Sequence, residues 1–347
     1  MQSPPEIPVP RIQVSHVLVT SEEAGQRLDK VLSRLLTGVP RTHLFRLLRK
    51  GEVRVNGKRA KPEQRLVEGD DLRLPPVRPA AVTEGPRPVP RRLTEQLEAA
   101  IVHEDDKLIV IDKPSGLAVH GGSGMAFGVI EALRASRPQE ELELVHRLDR
   151  DTSGCLLIAR KRSALRALHA LLREGDFDKG YLALLGGKWE LGTKRIAVPL
   201  RTDLRVGGER TVKVDAGGKE AVTEIRPVQF FGKIATLVAV RLFTGRTHQI
   251  RVHAAYAGHP VAGDDKYGNE ELNAILRERG LKRLFLHAHS VGFRWPESGN
   301  EVSINTPLPE ELKAVLDRLS DGSVRKLRPP PLAKAEENLP RARRPRT

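Results

Sequence analysis

The chain has 347 residues, a hydrophobic fraction of 39% and a formal net charge of +15, from 59 Lys and Arg against 44 Asp and Glu. This length allows two or three domains with a full core, and the basic excess favours a polyanionic partner, nucleic acid before an acidic membrane. Cys155 is the only cysteine, which excludes a disulfide within the chain and fits a reducing cytoplasm. No apolar run approaches the ~20 residues that a membrane-spanning helix needs.

The N-terminal part of the chain predicts a small helical and hairpin domain. Residues 1–23 are expected to be a loose segment, and the domain is expected to cover residues 24–78. Apolar residues recur at helical spacing over 28–36, and a second helix is predicted over 41–50, before a glycine that favours a helix end. Asn56-Gly57 is typical of a tight hairpin turn between two short strands.

This small domain is strongly basic. Between Ala24 and Leu74 there are 13 Lys and Arg against 6 Asp and Glu, a local net charge of +7. A basic helical module without a ligand would show the same charge, but the order of helices and hairpin favours RNA binding, with basic side chains on phosphates. The candidate phosphate contacts are Arg41, Arg46, Arg49, Lys50, Lys58 and Arg59.

The rest of the chain divides into a linker, a large domain and a tail. Residues 79–92 are proline-rich and predict a stiff linker, residues 93–320 predict one α+β domain, and residues 321–347 predict a basic, disordered tail. The predicted strands of the large domain are 101–102, 108–111, 155–159, 181–185, 222–225, 234–242 and 284–293. Its predicted helices are 128–135, 163–172, 247–257 and 309–319.

One polar stretch stands out within the large domain. Two carboxylates, two arginines and a histidine lie in the six residues 146–151, just before the apolar run Cys155–Ala159. A polar loop next to a buried strand is held rigid, which is the usual placement of catalytic residues. The same residues could form a turn in which Asp149 or Asp151 caps backbone N–H groups. Local sequence alone slightly favours the turn.

Four motifs in order change that balance. They are 104–120, 144–154, Lys179-Gly180-Tyr181 and 244–253. Together they resemble the large-subunit-rRNA and tRNA pseudouridine synthases, over about residues 100 to 320. The basic N-terminal domain resembles the RNA-binding domain first seen in the fourth small-subunit ribosomal protein, and the glycine-rich insert after His120 is most similar to the bacterial C type.

The resemblance implies a fold and an activity. The fold is an S4-like RNA-binding domain followed by a catalytic domain built on a mixed, largely antiparallel sheet flanked by helices. The activity is cofactor-independent isomerisation of specific uridines in large-subunit (23S) ribosomal RNA, after the target base has been flipped out. The implied partner is that RNA, with no membrane and no metal, and the protein is expected to be a cytoplasmic monomer.

The resemblance also implies roles for site residues. Asp149 is the catalytic carboxylate, which attacks the sugar or the ring or stabilises a sugar cation. Arg246 pairs with Asp149. Tyr181 stacks on the uracil and is the candidate general base. Arg147 binds a phosphate or fills the space that the flipped base leaves.

Other interpretations stay open at this point. Tyr181 could be a core aromatic residue and Arg246 a phosphate contact at a helix start. The paired histidines His287 and His289 are expected to be core or surface residues rather than metal ligands, because no cysteine or acid pair accompanies them. His146, His248 and His253 are expected to be structural or to face RNA. As a whole, the chain could instead be a non-catalytic rRNA-binding or ribosome-assembly factor, a synthase for other rRNA or tRNA sites, or an Asp/His hydrolase. Against the hydrolase, the sequence has no Gly-x-Ser-x-Gly elbow.

Overall fold

The computed structural model describes residues 14–21, 23–36, 39, 41–76, 89–121, 127–204, 210–320 and 325–326. The chain divides into two units, Met1–Pro88 and Val89–Thr347. Most of the predicted N-terminal segment, linker and tail, and the glycine-rich insert after Gly121, lie outside the described residues. Among the described helices, none has the length and apolar character needed to cross a bilayer.

The first unit contains two helices packed on a small antiparallel sheet. Its elements are β1 (Ser15–Leu18), α1 (Leu28–Leu35), α2 (Arg41–Lys50), β2 (Arg54–Val55), β3 (Lys58–Arg59) and β4 (Asp71–Leu74). The sheet order is β1-β4-β2-β3. Leucines from both helices and from β4 form the core, among them Leu28, Leu47 and Leu72. Asn56 and Gly57 both have positive φ, 49° and 73°, and close the β2–β3 hairpin as predicted.

The second unit contains six of the described helices. They are α3 (Arg91–Ala99), α4 (Val129–Ser136), α5 (Arg162–Glu174), α6 (Gln249–Tyr256), α7 (Glu270–Glu278) and α8 (Glu310–Ser320). The strands are β5 (Ile101–Glu104), β6 (Leu108–Lys113), β7 (Glu143–Leu144), β8 (Ser153–Ala159), β9 (Phe177–Gly186), β10 (Lys194–Ile196), β11 (Leu200–Leu204), β12 (Arg210–Val214), β13 (Thr223–Phe231), β14 (Ala235–Leu242), β15 (Leu286–Arg294), β16 (Glu301–Asn305) and β17 (Arg325–Lys326).

One 11-stranded sheet among the described residues organises this unit. Its main path runs β10-β13-β14-β9-β15-β8-β6-β5, and only the described pair β8 and β15 is parallel. Both faces of the central strands are covered. Ile109 and Ile111 of β6 pack into one apolar cluster, whereas Leu108 and Val110 pack into a second. A strand buried on both faces reads as a continuous apolar run, which is the pattern of β6 and β8.

The structure differs from the sequence-based elements at several places. Helix α3 begins at Arg91, inside the predicted linker. Helix α6 begins at Gln249 rather than at Thr247, because the backbone of His248 is left-handed with φ of 52°. Helix α7 was not predicted, although Asn269 caps it by accepting a hydrogen bond from the Leu272 N–H. The antiparallel hairpin β11–β12 was not predicted either.

Candidate active site

The loop that carries Asp149 lies between β7 and β8 and is held from below by a buried lysine. Lys113 ends β6, is fully buried, and its Nζ donates to three backbone carbonyls at 2.9 to 3.0 Å, one of them that of Arg150. The Ser115 hydroxyl also donates to the carbonyl of Asp151 at 2.7 Å. Burial lowers the pKa of Lys113 to about 7, against the attraction of the Asp151 and Asp149 carboxylates. The sequence motif contained Lys113, but its role was not predicted.

A cavity of about 340 Å³ opens where this loop meets β9 and the turn before α6. The predicted catalytic residues Asp149, Tyr181 and Arg246 all line it, as does Arg147. Three of the four sequence motifs therefore meet at one cavity, although they are separated by tens of residues in the chain. The other lining residues are His146, Leu148, Thr152, Leu172, Lys179, Leu242, Gly245, Thr247, His248, Gln249, Ile250, Arg251 and Leu286.

The arginine paired with Asp149 is Arg251, and the predicted Asp149–Arg246 pair is wrong. Arg251 Nη1 lies 3.5 Å from Asp149 Oδ2, while Nε and Nη2 of the same guanidinium donate to the two carboxylate oxygens of Asp264 at 2.7 and 2.8 Å. Arg251 lies in the first turn of α6, where its side chain faces the cavity. Arg246 lies in the exposed turn before the helix, and its Nε donates to the Glu220 carbonyl at 2.8 Å.

Asp264 fixes the orientation of Arg251. Its side chain is fully buried, and burial alone would raise its pKa. The ion pair with Arg251 and the backbone N–H groups of Tyr267 and Lys266 outweigh burial and lower the pKa of Asp264 overall. A bidentate carboxylate leaves a guanidinium little freedom to rotate. Arg251 therefore presents its remaining nitrogen to Asp149 in a fixed direction.

Tyr181 lies on β9 and presents its hydroxyl to the cavity. Its ring packs in the large apolar cluster of the sheet, and only 8% of the residue is exposed. Its hydroxyl has no hydrogen-bond partner within the described part of the chain. Every fully buried side-chain nitrogen or oxygen atom of the described residues does have a partner, so the Tyr181 hydroxyl is not fully buried. The hydroxyl must therefore face the open cavity. Burial, and then the charge of Asp149, raise the pKa of Tyr181 well above its usual value, so the phenol is protonated at neutral pH.

Two further cations line the cavity, Arg147 and Lys179. Neither side chain makes a hydrogen bond or ion pair with any other described residue. Burial lowers the pKa of Lys179, which lies two residues before Tyr181 on the same face of β9. Both cations are thus available to an anionic ligand that enters the cavity.

The histidines named from the sequence have different surroundings. Burial lowers the pKa of His146 to about 4, and burial also lowers that of His248, so both cavity histidines are neutral at pH 7. His287 is a core residue as expected, because it is fully buried and its Nδ1 lies 2.9 Å from the Ser153 hydroxyl. His253 is also fully buried. The described residues contain no group of three or more His, Cys, Asp or Glu side chains that could hold a metal.

Five of the predicted phosphate-contact cations are exposed in the first unit and are termed here the basic surface: Arg46, Arg49, Lys50, Lys58 and Arg59. Helix α2 and strand β3 lie together, because the Arg59 guanidinium reaches the carbonyls of Arg49 and Lys50 at 3.5 and 3.3 Å. Those carbonyls belong to the last turn of α2, where a cation is favourable. The side chain of Arg41 lies outside the described residues.

Known proteins are similar to both units of this chain. The family model for RNA pseudouridylate synthase matches residues 107–256, and the S4 domain model matches residues 26–72. The chain is 50% identical over 309 residues to ribosomal large subunit pseudouridine synthase C of Escherichia coli (strain K12), covering 88% of this chain and 97% of that one. The synthase C of Haemophilus ducreyi is 50% identical over 307 residues, 88% of this chain and 96% of the relative.

Solved structures agree with the sequence comparisons. Human RNA pseudouridylate synthase domain containing 4 superposes with a TM-score of 0.55 at 25% identity, covering 66% of this chain and 95% of that chain. The chain belongs to the RNA pseudouridylate synthase family. It is therefore an RNA pseudouridine synthase, an isomerase with an N-terminal S4 domain. These findings confirm the family, the fold class and the enzyme class predicted from the sequence.

Proposed function

We propose that this enzyme converts specific uridines of large-subunit (23S) ribosomal RNA to pseudouridine, in the cytoplasm and as a monomer. The observation that carries the substrate is the 50% identity to relatives named as large-subunit enzymes, which extends over 97% of the Escherichia coli protein. Action on other rRNA sites or on tRNA is the competing substrate assignment.

Asp149 is the catalytic carboxylate in this proposal. Pseudouridine formation breaks the bond between ribose C1′ and uracil N1 and forms a bond between C1′ and uracil C5. A carboxylate can attack the sugar or the ring, or stabilise a sugar cation. The support is geometric: Asp149 lines the cavity, is 19% exposed, and is aligned by Arg251 at 3.5 Å.

Tyr181 suits the proton transfer that follows formation of the bond between C1′ and C5. Once C5 is bonded to C1′, a proton must leave C5 and another must join N1, so the step is a tautomerisation without net proton loss. A protonated phenol can donate to N1, and the phenolate so formed can take the proton from C5. The raised pKa of Tyr181 suits both halves, because it keeps the hydroxyl protonated at the start and makes the phenolate a strong base. The ring also offers a stacking face for uracil.

Recruitment of RNA is assigned to other residues. The basic surface has five exposed cations, and Arg41 adds a sixth in the sequence. Such side chains contact phosphates and position a protein without reading sequence. Arg147 lines the cavity without a partner among the described residues, so it can bind the phosphate of the flipped nucleotide or fill the gap in the helix. Flipping a base costs a few kcal/mol, which these contacts offset.

Mapping of pseudouridines tests the substrate. Large-subunit rRNA and tRNA from cells with and without the gene would be compared, and the proposal expects loss of pseudouridine at rRNA sites only. Loss at tRNA sites alone would refute the substrate assignment.

A matched pair of substitutions tests the carboxylate. Asp149→Asn should abolish tritium release from uracil-labelled rRNA and leave RNA binding intact. Asp151→Asn is the control, because this neighbouring carboxylate pairs with Arg150 in the same loop and is 41% exposed. Asp149→Asn turnover within about tenfold of wild type would refute the assignment, since tenfold is only about 1.4 kcal/mol of barrier.

A further inference from the structure

A chain of close polar contacts leads from the β11–β12 hairpin to Asp149. The backbone N–H of Val212, on β12, donates to the Tyr267 hydroxyl at 2.9 Å. That hydroxyl lies 2.8 Å from His248 Nδ1, and His248 Nε2 lies 3.8 Å from Asp149 Oδ2. None of these contacts belongs to the roles predicted from the sequence.

The direction of these hydrogen bonds determines where the imidazole proton lies. The Tyr267 oxygen accepts from the Val212 N–H, and its own hydrogen needs an acceptor. Among the described residues the acceptor within reach is His248 Nδ1. A neutral imidazole that accepts at Nδ1 carries its proton on Nε2. The N–H of His248 therefore points at Asp149.

His248 and Tyr267 are held in place by the backbone and side chains around them. His248 has φ of 52°, a left-handed conformation that costs energy in residues other than glycine and occurs often at functional sites. Gln249, 2% exposed, fixes the turn, because its Oε1 accepts from the Arg246 N–H and its Nε2 donates to the Val222 carbonyl. The Tyr267 N–H donates to Asp264 at 3.0 Å.

We propose that His248 is a positioning residue, which presents its Nε2–H to Asp149, and that Tyr267 and β12 select the tautomer that allows this. The inference rests on the proposed role of Asp149. The charged groups that face His248 are Asp149, Arg251, Lys266 and Asp264. At 3.8 Å the contact with Asp149 is longer than a hydrogen bond, and catalytic hydrogen bonds commonly tighten when substrate binds.

The hairpin takes part because it packs on the same elements. Leu200 of β11 and Val212 of β12 share an apolar cluster with Val252 of α6, and Tyr267 packs against it. A hairpin displaced from this cluster would withdraw the Val212 N–H from Tyr267. The Tyr267 hydroxyl could then rotate, and His248 could exchange its proton between the two nitrogens. Packing of the hairpin against this cluster therefore helps to fix the orientation of the Asp149 carboxylate through Tyr267 and His248.

Nitrogen NMR of the full-length protein, labelled with ¹⁵N-histidine, tests the tautomer directly. The His248→Asn variant assigns the resonance, and asparagine tolerates the left-handed backbone better than most residues. The wild type should show His248 as the neutral form protonated on Nε2. Tyr267→Phe should convert it to a mixture of tautomers, whereas the control Tyr256→Phe, at an exposed tyrosine of α6, should leave it unchanged. Protonation on Nδ1 in the wild type would overturn the proposal, whatever the role of Asp149.

Kinetics test the consequence. At saturating RNA, His248→Asn and Tyr267→Phe should each slow single turnover by about tenfold to a hundredfold, the worth of one hydrogen bond to a charged group, with RNA affinity unchanged. The double variant should be no slower than the slower single variant, because both act through one contact. Additive losses, or a wild-type rate in Tyr267→Phe, would refute the coupling. The Asp149→Asn variant separates the two proposals. It should abolish activity, whereas the His248 of this variant should still be protonated on Nε2.

Discussion

Gly154 tests how tightly the sheet supports the loop that carries Asp149. It follows Asp149 by five residues, lies within β8, and has φ of +107°. A Cβ at this position would lie 2.2 Å from the carbonyl oxygen of Ala288 and 2.7 and 2.8 Å from two further backbone atoms of the same residue. The Gly154→Ala variant should therefore lose about 1–2 kcal/mol from the left-handed backbone and about 1–3 kcal/mol more from the forced separation of β8 and β15.

Gly175→Ala is the matched control. Gly175 ends α5 with φ of +86°, and an added Cβ there would meet nothing within 4 Å. It should lose only the backbone contribution. Thermal unfolding of the full-length variants would be followed, with about 2–4 °C expected per kcal/mol for a domain of this size class. Gly154→Ala should melt several degrees below Gly175→Ala. Equal melting temperatures would show that β8 and β15 separate freely, which would refute the rigid support argued for the loop.

Four further outcomes are expected. Tyr181→Phe should bind RNA normally but lose at least about a hundredfold in turnover, because general acid–base catalysis contributes that much; near-normal turnover would leave Tyr181 a packing residue. Lys113→Met should leave backbone carbonyls unsatisfied and lower the free energy of unfolding by about 1–3 kcal/mol, measured by denaturant titration. Asp264→Asn should destabilise the domain by about 3–5 kcal/mol, because the part-buried Arg251 guanidinium loses the charged carboxylate with which it pairs. Because the folded pKa of Asp264 is lowered, its contribution is present above the unfolded pKa of about 3.9 and is lost as pH falls through the folded pKa, so the acid limb of the stability curve should be shallower in this variant. Removing residues 1–88 should weaken rRNA binding and reduce the slope of log affinity against log salt by roughly 0.9 per lost phosphate contact on a duplex; unchanged affinity and slope would contradict the anchoring role.

Segments with a strong local signal were predictable. Helix α2 has the bounds expected from its apolar spacing and following glycine, and β8 contains the apolar run predicted as a buried strand. The motif around Asp149 and Tyr181 pointed to residues that line one cavity. In each case the signal lies within ten or so neighbouring residues, where spacing and turn chemistry decide the structure.

The features that the sequence did not predict depend on contacts between residues far apart in the chain. The motif at 244–253 contains Arg246 and Arg251, and nothing in their spacing tells which one Asp149 contacts. The choice follows from the left-handed backbone at His248, which delays the helix start, and from Asp264, which aligns Arg251. The role of Lys113 likewise appears only when its ammonium donates to the carbonyl of Arg150, 37 residues away in the chain.

The parallel neighbours β8 and β15 have a consequence for the order of folding. His287 pairs with Ser153 across 134 residues of chain, and pairings of this kind form late because a long loop must close first. During synthesis the S4 domain and the first strands of the sheet leave the ribosome well before β15. The nascent chain therefore acquires its S4 domain before the strand that supports the Asp149 loop. We expect affinity for rRNA to precede turnover, so chains truncated before Leu286 should bind rRNA without modifying it.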